Sequence, residues 1–159
     1  MSDYIKELRK KIGTDRILIP STVAIIVNKQ GEILLQERAG QKNWGCPGGL
    51  MDLNQTVLES LKREVLEETG LTFTSPTLFG IYSGERYKGV YPNGDMIQSV
   101  QMVFLVTDFS GQLKTDKESL SLQFFPVSKF PESINKHHAE YLAHYREYIQ
   151  GKRKIPIIV

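Results

Sequence analysis

Residues 49–71 read GLMDLNQTVLESLKREVLEETGL, and this stretch decides the fold. Thr56 with Glu59 forms a capping box ahead of an apolar-periodic run, and Gly70 suits the left-handed turn that closes a helix. The spacing therefore predicts a helix from about Val57 to Thr69. Val57, Leu58, Leu61 and Val65 recur at helical spacing and mark the face expected to pack on a core. Glu64, Glu67 and Glu68 share the neighbouring stripe, which brings three carboxylates to the edge of that face.

Charge alone does not say what the stripe is for. Like charges one turn apart cost about 0.2–0.5 kcal/mol per pair, and Glu67 and Glu68 also face the negative end of the helix dipole. Arg63 offsets part of this by pairing with Glu59 and Glu67 at helical spacing, so a solvated acidic face accounts for the pattern as simply as a site does. The residues just before the helix shift the balance. Trp44-Gly45-Cys46-Pro47-Gly48-Gly49 is too glycine-rich for an ordinary strand, and paired glycines let backbone groups approach a ligand closely. A few carboxylates, one loop carbonyl and a substrate diphosphate make an oxygen-rich set suited to a hard divalent ion such as Mg2+.

Taken together, these residues resemble the Nudix box. Gly49, Arg63-Glu64, the aliphatic Val65, Glu67-Glu68, Gly70 and the aliphatic Leu71 all stand where that family's pattern asks for them. The resemblance implies hydrolysis of a nucleoside diphosphate derivative by metal-activated water, with Mg2+ as cofactor and Mn2+ as a substitute. It implies Glu67 and Glu68 as principal metal ligands, the Gly49 carbonyl as a further ligand, Glu64 as ligand or general base, and Arg63 as the residue that holds the box together. Phosphoryl transfer needs its charge neutralised and its water positioned, and metal ions do both. Gln55 departs from the pattern, since the family has a glutamate there. An amide oxygen accepts a hydrogen bond from Arg63 but forms no charged bidentate pair, and Asp52 is the nearby acid able to supply negative charge. Two readings follow: an active hydrolase, or a catalytically weak nucleotide-binding sensor or interaction domain.

The rest of the chain bounds these readings. A length of 159 residues with 40% hydrophobic content suits one domain with one core. No apolar run approaches the about 18 residues of a membrane span, and the start lacks a secretory segment, so a cytoplasmic protein is expected. A net charge of +2 argues against general nucleic-acid binding despite basic clusters at Lys6–Lys11 and Lys152–Lys154. Cys46 is the single cysteine and reads as a packing residue. His137, His138 and His144 do not pair at the spacing of helical metal ligands, which points to exposed or capping roles.

Outside the box, residues 3–11 read as a short amphipathic helix. Ser21–Asn28 and Glu32–Gln36 read as a hairpin around a polar turn, and Leu71–Phe73, Leu78–Tyr82, Gln98–Thr107 and Leu120–Val127 as strands. Pro131 to about Gln150 reads as a final helix, followed by a tail from about 151 to 159. Both faces of 98–107 carry apolar residues, as in a sheet flanked by helices. The order of elements resembles the Nudix fold, an α/β/α sandwich with a central mixed sheet.

Substrate contacts are expected from Arg38 and from the tyrosine-rich segment 83–98. Its Tyr87 and Tyr91 can stack on a base if the segment is not simply a protruding hairpin or a homodimer contact. Glu118 is the candidate distal acid. The arginine-spaced signature of the coenzyme A group is missing, and Tyr87 replaces the proline that marks the ADP-ribose group. The expected partner is a small nucleotide.

Overall fold

A computed structural model describes residues 3–39, 43–91, 93–116 and 119–159. In chain order the elements are α1 (Asp3–Ile12), β1 (Ile17–Ile26), β2 (Ile33–Arg38), β3 (Trp44–Gly45), β4 (Gly48–Leu50) and α2 (Val57–Thr69). Then come β5 (Leu71–Phe73), β6 (Thr77–Tyr82), β7 (Lys88–Val90), β8 (Met96–Val106), β9 (Phe109–Gly111), β10 (Ser119–Phe125), α3 (Lys136–Ile149) and β11 (Ile157–Ile158). A mixed sheet in the order β11-β6-β8-β1-β4, with β7 on β8, forms the centre. Its longest ladder is parallel, Ile17–Ile26 of β1 against Ile97–Val106 of β8.

Alternation along β1 builds the two interior layers. Val23, Ile25 and Val27 pack with Tyr141, Leu142 and Tyr145 of α3, whereas Ala24 and Ile26 pack with Leu61 and Val65 of α2. A strand covered on both sides needs apolar residues at successive positions, and β1 and β8 supply them. The α/β/α sandwich with a central mixed sheet is therefore present as the sequence implied. Among the described residues no helix is long and apolar enough to cross a membrane.

The helix of the acidic stretch spans Val57–Thr69, as its caps require. The Thr56 side chain accepts from Glu59 N–H, the Glu59 carboxylate accepts from Thr56 N–H, and Gly70 sits at φ 73°. Glu59 is thus spent on the cap and is not the expected partner of Arg63. Leu58 is also displaced from the expected core face: it is 45% exposed, while Leu61 is fully buried. Val57, one residue earlier, packs on the core as expected.

Three other expectations change. Among the described residues the only ladder contact between this pair is one antiparallel bridge, Val27 just past β1 with Ile33 of β2, because the turn at Asn28–Gly31 carries the chain from one sheet to another. There β2 pairs with β10 and β3. The last helix begins at Lys136 with Asn135 as its cap, since the preceding segment runs extended: Trp44 N–H donates to Ser133 O and Asn135 N–H donates to Trp44 O. Finally, the terminal residues dock as β11, a parallel partner of β6 with Ile157 buried.

Packing on α2 supplies a first test. Leu61→Ala should cost about 2–5 kcal/mol in denaturant unfolding, as for other fully buried leucines, whereas Leu58→Ala should stay within about 0.5 kcal/mol of the parent. Equal effects would contradict the helix orientation.

Candidate active site

A glycine corner sets the geometry of the acidic helix. Gly48 adopts φ +146°, and a Cβ there would lie 2.2 Å from Thr22 O, so only glycine lets β4 press onto β1 at this point. The Gly48 N–H donates to Glu68 Oε2 at 2.7 Å, and the Gly48 carbonyl accepts from Arg38 Nη2 at 3.1 Å. Gly49 is open for a different reason. A Cβ there would lie 2.6 Å from all three carboxyl atoms of Glu64, so that carboxylate rests directly on the glycine backbone.

Arg63 gathers the remaining acids. Its Nη2 lies 2.8 Å from Glu64 Oε1 and donates to Leu50 O at 3.2 Å, while its Nη1 donates to Glu67 Oε2 at 3.1 Å. Asp52 Oδ2 stands 4.0 Å from Nη2. Gln55 does not take the place expected for it, because its Oε1 accepts from Asp52 N–H at 3.2 Å. Local turn geometry claims the amide, and Asp52 brings negative charge to Arg63 instead.

Arg38, Gly48, Gly49, Asp52, Arg63, Glu64, Glu67, Glu68, Tyr91 and Asp116 line one cleft of about 400 Å³. Glu68 is its most perturbed group: it is only 6% exposed, and desolvation pushes its carboxyl up to about 7. The Arg38 charge and the Gly48 N–H pull the other way without cancelling the burial. Among the described residues no three His, Cys, Asp or Glu side chains converge closely enough to hold a metal ion. The reason lies in Arg63, which draws Glu64 and Glu67 toward itself. The donor chemistry nevertheless fits a hard divalent cation, since every candidate atom is oxygen and Glu68 is a buried carboxylate in need of positive charge.

Backbone direction separates the two glycines as ligands. Ala24 N–H donates to Pro47 O and Met51 N–H donates to Pro20 O, and Thr22 stands opposite Gly49 midway between these pairs. The alternation of an antiparallel ladder makes Thr22–Gly49 a hydrogen-bonded pair too, which turns the Gly49 carbonyl into the sheet. The Gly48 carbonyl, facing Arg38, is the loop oxygen presented to the cleft. Sequence reasoning passed over Gly48 because the motif is counted from Gly49.

The other expected site residues divide. Arg38 and Tyr91 line the cleft and also an adjoining recess of about 610 Å³, walled by β7, β8 and the first turn of α3. Tyr87 is fully buried against Tyr82, and its hydroxyl donates to Glu140 at 2.6 Å, so it cannot stack on a ligand. The segment around it forms a 3-10 turn and then β7, one arm of a hairpin with β8. Glu118 lies outside the described residues. Asp116, in the same polar turn, reaches the cleft, where its Oδ1 accepts from Ser119 Oγ at 2.6 Å. Its proximity in sequence to Glu118 was the available signal.

Two expectations for the interior also resolve. Cys46 is buried in the core, and desolvation pushes its thiol well above the usual range, consistent with packing and unsuited to nucleophilic chemistry. His138 is not exposed: its Nδ1 accepts from Cys46 N–H at 2.8 Å, in space left by the missing side chain of Gly45.

The NUDIX domain profile matches residues 18–145. An ADP-ribose pyrophosphatase of Methanocaldococcus jannaschii is 31% identical over 84% of this chain and 80% of its own length. The human 8-oxo-dGDP phosphatase NUDT18 is 28% identical over 86% of this chain, a match that spans 41% of that longer protein. Among solved structures, a MutT NUDIX hydrolase from Burkholderia pseudomallei superposes with a TM-score of 0.68 at 26% identity, covering 80% of this chain and 97% of its own.

Burial holds His138 well below the ordinary histidine pKa, and the Arg38 and His137 charges add to the effect. As pH falls through about 6.5 the unfolded chain gains a proton that the folded protein refuses, so stability declines by up to about 1.4 kcal/mol per pH unit. Denaturant unfolding should show this decline between about pH 7.5 and about pH 5.5. His138→Asn, which keeps an acceptor for Cys46 N–H, should lose the share owed to one proton. Identical pH dependence in both proteins would contradict the assignment.

Proposed function

The chain belongs to the Nudix family of pyrophosphohydrolases, and from that premise we propose that it cleaves the pyrophosphate linkage of a nucleoside diphosphate derivative with the help of Mg2+, for which Mn2+ can substitute. The observation that carries the reading is the single cleft in which Glu64, Glu67, Glu68 and Asp116 face Arg38 and the Gly48 carbonyl. Names borne by relatives, an ADP-ribose pyrophosphatase and an 8-oxo-dGDP phosphatase, agree on a diphosphate bonded to a nucleoside.

When bound, a divalent cation would neutralise phosphate charge and lower the pKa of a coordinated water, so that its deprotonated form is available near neutral pH. Glu67, Glu68 and the Gly48 carbonyl are the groups that would hold it. Glu64 has a different duty. Arg63 fixes its Oε1, Gly49 leaves room for the carboxylate, and only 13% of the side chain is exposed, so it can take the proton of the attacking water from a fixed position. Arg38 is placed to meet the phosphate oxygens, since its guanidinium already reaches a carbonyl on the cleft wall. Asp52 next to Arg63 offsets the charge absent at Gln55, which favours the active reading over a purely binding one.

A product assay with nucleoside triphosphates, nucleotide sugars, ADP-ribose and dinucleoside polyphosphates tests this. Metal-dependent release of a nucleoside monophosphate is expected from at least one group. Folded Glu64→Gln and Glu67→Gln proteins should lose more than the about 10–100-fold that removal of an outer-shell partner costs, while Gln55→Glu should change kcat by less than about tenfold. Binding without turnover at saturating metal, together with activity restored by Gln55→Glu, would overturn the reading.

A further inference from the structure

The N-terminal helix reaches the cleft indirectly, through a turn. Arg9 belongs to the basic run Lys6–Lys11, yet its side chain is only 10% exposed. Its guanidinium lies between the end of α1 and the turn that joins β7 to β8. Nη1 donates to Gly13 O at 3.1 Å and to Asp15 O at 2.6 Å, and Nη2 donates to Met96 O at 2.8 Å. Nε stands 3.5 Å from Asp95 Oδ2. The backbone closes the same seam, since Met96 N–H donates to Thr14 O at 3.1 Å. Arg9 thus spans four oxygens, two just past its own helix and two at the start of β8.

β7 needs such support. It is three residues long and, among the described residues, pairs only with β8, and a short strand bonded on one edge is marginal by itself. The turn beyond it is braced internally. Tyr91 N–H donates to Asp95 O and Gly94 N–H donates to Tyr91 O, both at 2.9 Å, while the Asp95 carboxylate accepts from Asn93 Nδ2 at 2.9 Å. Tyr91 and Asp95 are thereby tied into one unit. Asp95 is 7% exposed, and a carboxylate so buried is costly without a cation beside it. With Arg9 removed, that charge is relieved only by turning outward to water, and the turn carries Tyr91 with it. Tyr91 borders both cleft and recess, so whatever seats the turn sets the wall where the two join.

Resting on the hydrolase reading above, we propose that Arg9 is a positioning residue for substrate binding: through Asp95 it holds Tyr91 at the border of cleft and recess, where the ring packs against the nucleoside of the substrate. Arg9 itself lines neither cavity, so its influence falls on binding and not on the chemical step. α1 lies outside residues 18–145, the stretch that carries the family match, and the device therefore comes from this chain's own N-terminal segment.

The test is a double-mutant cycle of Arg9→Met and Tyr91→Ala, run on whichever nucleotide of the product-assay panel wild type hydrolyses best. Tyr91→Ala should raise KM about fivefold or more, the lower bound for a nucleobase stacked on an aromatic side chain, and leave kcat within about twofold. Arg9→Met should raise KM at least about threefold, yet add nothing further once Tyr91 is alanine, because both changes act through one contact. A purely structural arginine would give the same rise in both backgrounds. Lys10→Met, at an exposed position on the same helix, should leave KM unchanged. Hydrogen exchange without nucleotide reads the turn directly. The Tyr91 and Gly94 amides should exchange at least about tenfold faster in Arg9→Met, with the ladder between Val23–Ile26 and Val103–Val106 unaltered. Should Arg9→Met fail to fold, Arg9→Lys keeps the cation but spans fewer of the four oxygens, and shows the same pattern at smaller size. Unchanged exchange in the turn, or an equal rise in KM in both backgrounds, would overturn the proposal. If wild type hydrolyses none of the panel, the hydrolase reading is what fails, and the exchange comparison still decides whether Arg9 holds the turn.

Discussion

The hydrogen bond from Gly48 N–H to Glu68 Oε2, 2.7 Å long and buried, is the constraint on which the rest of the site depends. It ties the last turn of α2 to the corner where β4 leaves β1. Its two partners differ: Gly48 occupies a backbone region that a side chain would block, and Glu68 bears a charge that its surroundings disfavour. A buried carboxylate with incomplete compensation costs stability, and proteins keep such groups where function uses them. The bond therefore couples fold to chemistry, because the contact that seats the helix also presents an acid and a carbonyl to the same cleft.

From this anchor the other parts follow in order. With α2 seated, Glu64 falls on Gly49 and Arg63 can span Glu64, Glu67 and the Leu50 carbonyl. Arg38, at the end of β2, closes the far side by reaching the Gly48 carbonyl. The second anchor is the extended run before α3, where Trp44 N–H donates to Ser133 O, Asn135 N–H donates to Trp44 O, and the pair holds the first turn of that helix over the recess. One wall thus comes from the sheet and the other from α3. The site lies between two layers that fold against a common strand pair.

Much of this was legible in the sequence where the determinants are local. The limits of α2 follow from Thr56, Glu59 and Gly70, groups that meet within one turn, and the structure reproduces them. The grouping of Arg63, Glu64, Glu67 and Glu68 follows from helical spacing for the same reason. What failed was non-local. A polar turn at Asn28–Gly31 announces a reversal but not which sheet receives the next strand, and β2 leaves β1 for β10. Tyr87 looked exposed because its neighbours in sequence are polar, yet Tyr82, His137 and Glu140 enclose it from distant segments. His138 likewise gained its partner, the Cys46 N–H, only through tertiary contact.

Direct titration of the protein with Mg2+ or Mn2+, in the absence of nucleotide, tests the central claim that the buried Glu68 corner is where a cation is held. If the account is right, Glu68→Gln, which keeps the size of the side chain and an acceptor for Gly48 N–H, folds as the parent does and binds the ion at least about tenfold more weakly. An unchanged affinity in a folded Glu68→Gln protein would contradict it.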